Sequence, residues 1–298
     1  MERYKYVTKY KDNDLLRAAL NQLTRETFGF DFESWYQNGY WKEDMYMPYS
    51  LMDGDRMVAN VSANRMEFEI DGQIKHYIQI GTVMTAKEYR NLGLGRNLME
   101  KVIATYEDKC DGIYLFANDS VLSYYPKFGF QVSKEYIYKK HIHKEEIREK
   151  SSQNRNSGGF VKIDNPSNED RKRFFEYVTE AVPNDGMTMR NVGLMGFYIH
   201  DMEEVYYSKS LDTYVVATVE NRTLNLGCVI TKRKVELNEI LDSFVEDVDT
   251  VILDFVPSDK KGFNVEELKE EDCTLFYIGE DLQRIERERL HFPSLSHA

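Results

Sequence analysis

Residues 81–99 decide the fold, and they read GTVMTAKEYRNLGLGRNLM. The beginning of this stretch continues a strand-like segment, and its end opens a segment with helical spacing. Gly93 and Gly95 stand at the turn between them, and Arg90 and Arg96 flank that turn. Unpaired N–H groups at a helix start form an anion site, and glycine lets a pyrophosphate come close. The stretch therefore predicts a phosphate-binding loop, although a strand-to-helix turn without a ligand shows the same pattern.

The pattern around the loop argues against a dinucleotide-binding fold. Leu98 occupies the position where that fingerprint needs its third glycine. The strands before the loop meet at the Asp-Gly pairs 53–54 and 71–72, which are strong hairpin signals. A Rossmann unit needs helical crossovers between its strands, so a dinucleotide-binding fold is excluded.

Periodicity on both sides of the loop predicts an α/β fold with a mostly antiparallel sheet. The predicted helices of this half are 15–27, 95–107 and 121–128, and the predicted strands are 45–52, 57–70, 74–85, 113–117 and 131–140.

A polar run rich in Ser, Asn and Gly predicts a linker at residues 149–159. It separates a first domain, residues 1–148, from a second and smaller α/β domain, residues 160–298. The second half repeats the coarse order of helices, hairpin, helix and strand, which raises the possibility of a duplicated fold. It contains no second Gly-x-Gly loop after an arginine, so we expect it to bind no cofactor. The predicted elements of this half are helices 171–181, 189–202 and 237–245, and strands 214–219, 224–231, 251–256 and 274–278.

Two motifs resemble those of the GNAT acetyltransferases. The first is Arg90-x-x-Gly93-x-Gly95, and the second begins at Asn118 and ends Tyr125-x-x-x-Gly129-Phe130. The resemblance covers about residues 40–140, and it implies a GNAT fold whose mixed, mostly antiparallel central sheet splays open to admit a pantetheine arm. It also implies acetyl-CoA as the co-substrate, and no metal.

The resemblance assigns roles to particular positions. Tyr125 corresponds to the tyrosine that protonates the departing CoA thiolate; the adjacent Tyr124 is the alternative, but the spacing to Gly129-Phe130 favours Tyr125. The second half would shape the acceptor site or the domain interface. The residues assigned to acetyl-CoA are Val83, Met84, Thr85, Arg90, Asn91, Leu92, Gly93, Leu94, Gly95, Arg96, Asn118 and Tyr125.

Asn60, Ser62 and Asn64 alternate with apolar residues, which places them on one face of a strand. We predict that they line an acceptor groove, and the alternative is an ordinary solvated face.

A proton acceptor for the amine is harder to assign. Glu67 and Glu69 lie on a predicted strand, where a solvated face would also place carboxylates. His76 could serve, but a lone histidine is usually structural or exposed. The sequence therefore singles out none of these three side chains as the base.

The final residues, 289–298, read RLHFPSLSHA and carry apolar side chains that would gain by burial. Burial would desolvate the carboxylate of Ala298 and raise its pKa towards that of a useful base. This arrangement is similar to that of the enhanced-intracellular-survival acetyltransferases, whose terminal carboxylate enters the active site. We therefore predict that Ala298 is catalytic; a tail packed for stability alone is the alternative.

Composition limits the function classes. The chain has 298 residues, a net charge of −12 and three widely spaced cysteines, which predicts a cytoplasmic protein without nucleic-acid or membrane partners. We expect an N-acetyltransferase that acts on a primary amine of a small molecule by direct attack. A protein or peptide N-acetyltransferase, or a non-catalytic acetyl-CoA-binding module, is the alternative. The sequence leaves the oligomeric state open.

Overall fold

The computed structural model describes residues 3–142, 159–244 and 248–298. The strands are β1 (Lys5–Thr8), β2 (Tyr46–Asp53), β3 (Arg56–Ile70), β4 (Gln73–Thr85), β5 (Gly112–Ala117), β6 (Gln131–Val132), β7 (Tyr136–His141), β8 (Val161–Lys162), β9 (Met187–Met189), β10 (Val205–Ser208), β11 (Thr213–Glu220), β12 (Thr223–Thr231), β13 (Thr250–Leu253), β14 (Asn264–Glu267) and β15 (Thr274–Ile278). The α-helices are α1 (Asp14–Phe28), α2 (Glu33–Gln37), α3 (Leu94–Tyr106), α4 (Asn168–Glu180), α5 (Val192–Ile199), α6 (Leu237–Asp242) and α7 (Arg284–Arg287).

The first sheet has the strand order β1-β2-β3-β4-β5-β15-β6, and β9 pairs with the end of β3. Its neighbours are antiparallel except for β4 and β5, which are parallel. These two strands pair only at residues 77–79 and 112–114, and β4 then continues to Thr85 without β5 beside it. The predicted α/β fold with a splayed sheet is therefore confirmed.

The second sheet has the order β14-β7-β13-β12-β11-β10-β8. Antiparallel strands β10, β11 and β12 lead into a parallel pair, β12 with β13, as β2, β3 and β4 lead into β5. The parallel pairing joins residues 223–226 to residues 250–253, and β12 again continues beyond it. The second half thus repeats the strand topology of the first.

The two sheets exchange a strand. Strand β15 from the second half lies between β5 and β6, and β7 from the first half lies between β13 and β14. The segment 131–140, predicted as one strand, is therefore two strands in different sheets, because the chain leaves the first sheet after Val132. The predicted domain limits, 1–148 and 160–298, stay a prediction, and residues 149–158 of the predicted linker lie outside the described residues.

The tail of the chain lies in the core between the sheets. The ring of Phe292 stacks on that of Tyr114 with centroids 4.1 Å apart, and it also contacts Phe68 and Tyr77. Helix α3 covers the other face of the first sheet with Leu94, Leu98 and Val102, the side that its four-residue spacing predicts. The core therefore fixes both α3 and the tail relative to β4 and β5.

Two predicted helices differ in the structure. The helix predicted at 189–202 is the shorter α5, because Met187–Met189 pair with β3 instead. The helix predicted at 121–128 is a pair of 3₁₀ turns, Asp119–Val121 and Tyr125–Phe128. Pro126 lies within the second turn, and the second turn ends at Gly129, which has φ 89°.

Candidate active site

A cavity of about 730 Å³ opens where β4 and β5 diverge. One wall is the end of β4, from Ile80 to Thr85, and the others are the loop before α3 and the segment after β5. Among the described residues, no strand pairs with the edge of β4 that faces β5 from Ile80 onward. Its main-chain groups are therefore available to a ligand that enters between the strands.

A bulge in β4 lies beside this opening. Asn60 and Ser62 of β3 pair with Met84 and Gly81, so the single residue between them opposes two residues of β4. Thr82, inside the bulge, has φ 42°, which is unusual for a residue other than glycine. Bulges redirect a strand and re-aim its groups, and this one turns the end of β4 towards the cavity.

The loop before α3 has the geometry of an anion cradle. Gly93 is the N-cap with φ 76°, and no side-chain oxygen caps the helix that follows it. A methyl group at Gly95 would lie 3.3 Å from Thr85 Oγ1 and 3.4 Å from the Tyr124 hydroxyl, so glycine keeps this corner open. A pyrophosphate fits these residues because the first-turn N–H groups of α3 lack a side-chain acceptor.

The structure brings most of the residues assigned to acetyl-CoA to this one cavity. Leu92 is the exception, since it is 57% exposed and does not line the wall. Sequence reasoning assigned no role to several other lining residues, among them Phe28, Gly81, Phe116 and Lys127. The assigned residues that line the cavity are Val83, Met84, Thr85, Arg90, Asn91, Gly93, Leu94, Gly95, Arg96, Asn118 and Tyr125.

Tyr125 and Tyr124 both line the cavity, in different surroundings. Tyr125 is 6% exposed and packs against Phe130 and Phe276. Burial raises the pKa of Tyr125 to about 12, so its hydroxyl keeps its proton at neutral pH. The Tyr124 hydroxyl faces the corner of Gly95, at the end of the cavity near the start of α3. Tyr125 is therefore a protonated donor group in the cavity wall.

Ala298 lines the same cavity. A Cβ placed on Gly81 would lie 2.4 Å from the main-chain oxygen of Ala298 and 3.1 Å from Asn64 Nδ2. Any side chain at position 81 would therefore displace the tail. The Tyr198 hydroxyl donates a hydrogen bond to the His297 carbonyl, and the His297 ring stacks on Phe116 at 3.7 Å. The structure thus brings the main chain of Ala298 and the side chain of Tyr125 to one cavity.

Two carboxyl groups, one buried and one half-buried, anchor the tail upstream of Ala298. The buried Glu135 accepts a 2.8 Å hydrogen bond from the Phe292 amide, and the half-buried Asp254 accepts one of 3.1 Å from the Ser294 amide. Desolvation raises the pKa of Glu135 to about 8 and that of Asp254 to about 6. Sequence reasoning missed both residues, because their partners are distant in the chain.

We expect the buried carboxyl of Glu135 to make the protein less stable as pH rises. Its pKa moves from 4.5 in the unfolded chain to about 8 in the folded one, so between these values only the folded state holds the proton. The free energy of unfolding should then fall by up to roughly 1.4 kcal/mol per pH unit. Glu135→Gln keeps the acceptor for Phe292 and should remove this slope in urea unfolding measured from pH 5 to 8. His291 and His297 titrate in both proteins and cancel in the comparison; equal slopes would contradict the assignment.

The structure places Asn60, Ser62 and Asn64 on an internal face of β3, and the predicted acceptor groove stays a prediction. All three are buried, and none lines the cavity. Asn60 Nδ2 donates to the carbonyl of Thr82 at 3.0 Å, and Ser62 Oγ donates to the Tyr46 hydroxyl at 2.9 Å. Asn64 Nδ2 donates to the carbonyl of Gln79. The alternating polar face is therefore an internal network that supports the bulge of β4.

The other candidate bases lie elsewhere. Glu67 and His76 face each other at 3.7 Å, and Glu69 pairs with Arg190 at 3.2 Å. None of these side chains lines the cavity between β4 and β5.

The family profile of the acetyltransferase (GNAT) domain matches residues 9–133. This segment contains the loop before α3, the splayed strands and Tyr125. Residues 9–133 belong to the GNAT acetyltransferase family. The GNAT domain therefore supplies every wall of the cavity except Ala298.

Three solved structures share the fold over most of this chain. A GCN5-related N-acetyltransferase from Kribbella flavida is 16% identical, with a TM-score of 0.53, and the match covers 92% of this chain and 71% of that one. A probable N-acyltransferase from Enterococcus faecalis is 13% identical, with a TM-score of 0.55 and the same coverages. Eis1 from Mycobacterium abscessus is 12% identical, with a TM-score of 0.52, and the match covers 91% of this chain and 72% of that one. No curated protein sequence matches the chain.

Within residues 3–142, 159–244 and 248–298, no group of three or more His, Cys, Asp or Glu side chains is placed to hold a metal ion. Over the same residues, every helix is too short or too polar to cross a bilayer.

Proposed function

We propose that this protein transfers the acetyl group of acetyl-CoA to a primary amine of a small molecule. The observation that supports the proposal is one cavity lined by an uncapped helix start, a protonated tyrosine and Ala298, to which we assign the role of proton acceptor. These are the groups that acyl transfer to an amine needs: an anion cradle, a general acid and a proton acceptor.

The binding role falls to β4 and the loop before α3. The amides at the start of α3 hold the pyrophosphate, and Arg90 and Arg96 add charge at its edges. The unpaired edge of β4, from Val83 to Thr85, holds the amide groups of the pantetheine arm. Asn118, at the end of β5, lies on the opposite wall.

When bound, acetyl-CoA supplies a thioester whose carbonyl carbon is the electrophile. The Ala298 carboxylate accepts a proton from the amine nitrogen as that nitrogen attacks directly. Main-chain N–H groups of β4 polarise the carbonyl oxygen. As the N–C bond forms and the C–S bond breaks, the Tyr125 hydroxyl donates its proton to the sulfur. One proton thus leaves the amine and another reaches the thiolate.

A small-molecule acceptor fits the crowding on the acceptor side. The tail reaches that side of the splay, where the His297 ring stacks on Phe116 and Ala298 lines the cavity, and Phe28 also lines it. An extended peptide would have to displace the tail. The net charge of −12 also favours cationic amines at long range, in a manner that salt screens.

A thiol-release assay tests the proposal. The protein is incubated with acetyl-CoA and a panel of monoamines, polyamines, aminoglycosides, amino acids and lysine-containing peptides, and free CoA is measured with a thiol reagent. We expect turnover with at least one small amine and no more than background with the peptides. Turnover only with peptides would favour the protein-acetylating alternative. Acetyl-CoA binding without release for any acceptor would favour a non-catalytic module.

We expect Tyr125→Phe to lower kcat by about 10²-fold, because a general acid acts mainly in the transition state. The KM for acetyl-CoA should stay within a few-fold of its original value, since the phenyl ring keeps the packing against Phe276. Tyr124→Phe is the matched control and should have the smaller effect on kcat. Both are measured by steady-state thiol release with the best amine of the panel, and a larger loss in the Tyr124 variant would reverse the assignment.

A further inference from the structure

The second sheet contains a cavity at the same topological place as the first. Beyond their parallel pairing, β12 and β13 diverge, and a cavity of about 310 Å³ opens between them. Residues 227–230 of β12 and Phe255, just after β13, line it. These positions correspond to the end of β4 and to Phe116 in the first sheet. The second half therefore contains a cavity between two diverging strands, at the place where the first half has its own.

This second cavity has no cradle for a pyrophosphate. The residues that follow β12 include Lys232 and Arg233 instead of a glycine loop. Lys232 pairs with Glu180 at 2.7 Å, and Arg233 Nη2 donates to the carbonyl of Leu211 at 3.1 Å. The cavity is also less than half as large as the first, so a CoA thioester is excluded as its ligand.

The wall combines apolar side chains with two carboxylates, those of Asp185 and Glu67, and Glu67 lies 3.7 Å from His76. Asp185 lines the cavity, and within the part of the chain that the structure describes no Lys, Arg or His side chain forms an ion pair with it. Its carboxylate accepts hydrogen bonds from the Thr188 hydroxyl and from the Met187 amide, which are neutral donors. The guanidinium of the wall, Arg190, pairs with Glu69, so it does not compensate the carboxylate of Asp185. The apolar wall consists of Val178, Ala181, Val182, Met189, Val192, Met195, Val229, Ile230, Phe255, Pro293 and Leu295.

We propose that this cavity binds a small primary ammonium compound with a branched apolar body. A desolvated carboxylate without a cationic partner is unfavourable, and an ammonium ligand supplies that partner. The apolar wall accepts the alkyl body and sets the ligand's size. The site is separate from the acetyl-transfer cavity, because the two cavities share no lining residue. The proposal therefore stands independently of the proposed function.

The test is methyl NMR of the full-length protein labelled with ¹³C at the methionine methyl groups. Met189 and Met195 line the second cavity and Met84 lines the first, so the methyl signals distinguish the two sites. The probe is isopentylamine at neutral pH, and isopentyl alcohol is its uncharged counterpart. Substitution of each of these methionines by Leu assigns its signal.

We expect isopentylamine to shift Met189 and Met195 in a saturable way, with an affinity at least ten-fold above that of the alcohol. Asp185→Asn should weaken amine binding at least ten-fold, and Glu180→Gln, a carboxylate outside the cavity, should leave it unchanged. Val229→Phe fills the cavity and should abolish the shifts, which keeps the test decisive if Asp185→Asn fails to fold. Unmoved signals, equal binding of amine and alcohol, or full binding to the Val229→Phe protein would each overturn the proposal.

Discussion

Gly93→Glu is expected to abolish acetyl-CoA binding. Gly93 has φ 76°, a left-handed conformation that costs a residue with a side chain about 1–2 kcal/mol. The larger effect is electrostatic, because a carboxylate at the N-terminus of α3 would compete with the pyrophosphate for the same N–H groups. Titration calorimetry with acetyl-CoA should show one site per chain in the original protein and none in the variant.

Two control variants separate the causes in this experiment. Gly93→Ala introduces the backbone strain without the charge and should weaken binding only modestly. Gly54→Glu places the same charge in a left-handed hairpin turn, φ 61°, outside the cavity, and should leave affinity unchanged. An affinity of Gly93→Glu within a few-fold of the original would remove the loop from the cofactor site. A second site per chain would contradict the expectation that the second half binds no acetyl-CoA.

The loop before α3 could be predicted because its signals are local. Two glycines at a strand-to-helix turn, with an arginine before them, need only neighbouring residues to define their geometry. The same holds for the turn that begins at Tyr125 and ends at Gly129. Both motifs line one cavity in the structure. This follows from the topology, because each motif comes directly after one of the two parallel strands, β4 and β5.

Long-range pairing could not be predicted in the same way. The alternation of Asn60 and Ser62 is what a half-exposed strand shows, but here Ser50, Tyr46 and Thr82 provide buried partners for both side chains. The hydrogen-bond partners belong to neighbouring strands, so the sequence around residue 60 carries no sign of them.

The exchange of strands between the two sheets could not be predicted from the sequence, for a related reason. Nothing in residues 131–140 marks the place where the chain changes sheet, because both pieces have strand-like composition. The physical reason for the change of sheet is the contact of Glu135, whose buried carboxyl group accepts a hydrogen bond from the Phe292 amide 157 residues away. A buried acid between two strands is a weak signal by itself, and here it anchors the tail that reaches the cavity.

We expect a short tag appended after Ala298 to lower kcat by about 10²–10⁴-fold, the range for loss of a general base. The tag converts the carboxylate at position 298 into a neutral peptide group, although it deletes no residue. Gly81 leaves no space for additional atoms on that side, since even a methyl group there would overlap Ala298. Removing the last three residues should have a similar effect, because Phe292 and Leu295 remain to hold the fold.

The decisive comparison separates catalysis from folding and from binding. The same tag placed before Met1 is the matched control and should leave kcat unchanged. Acetyl-CoA affinity, measured by calorimetry, and the midpoint of urea unfolding should be nearly equal in all of these proteins, since the phosphate loop and the anchors at Glu135 and Asp254 are intact. A C-terminally tagged protein with full activity would leave the tail a structural role only, because a peptide carbonyl cannot accept the amine proton that the carboxylate accepts.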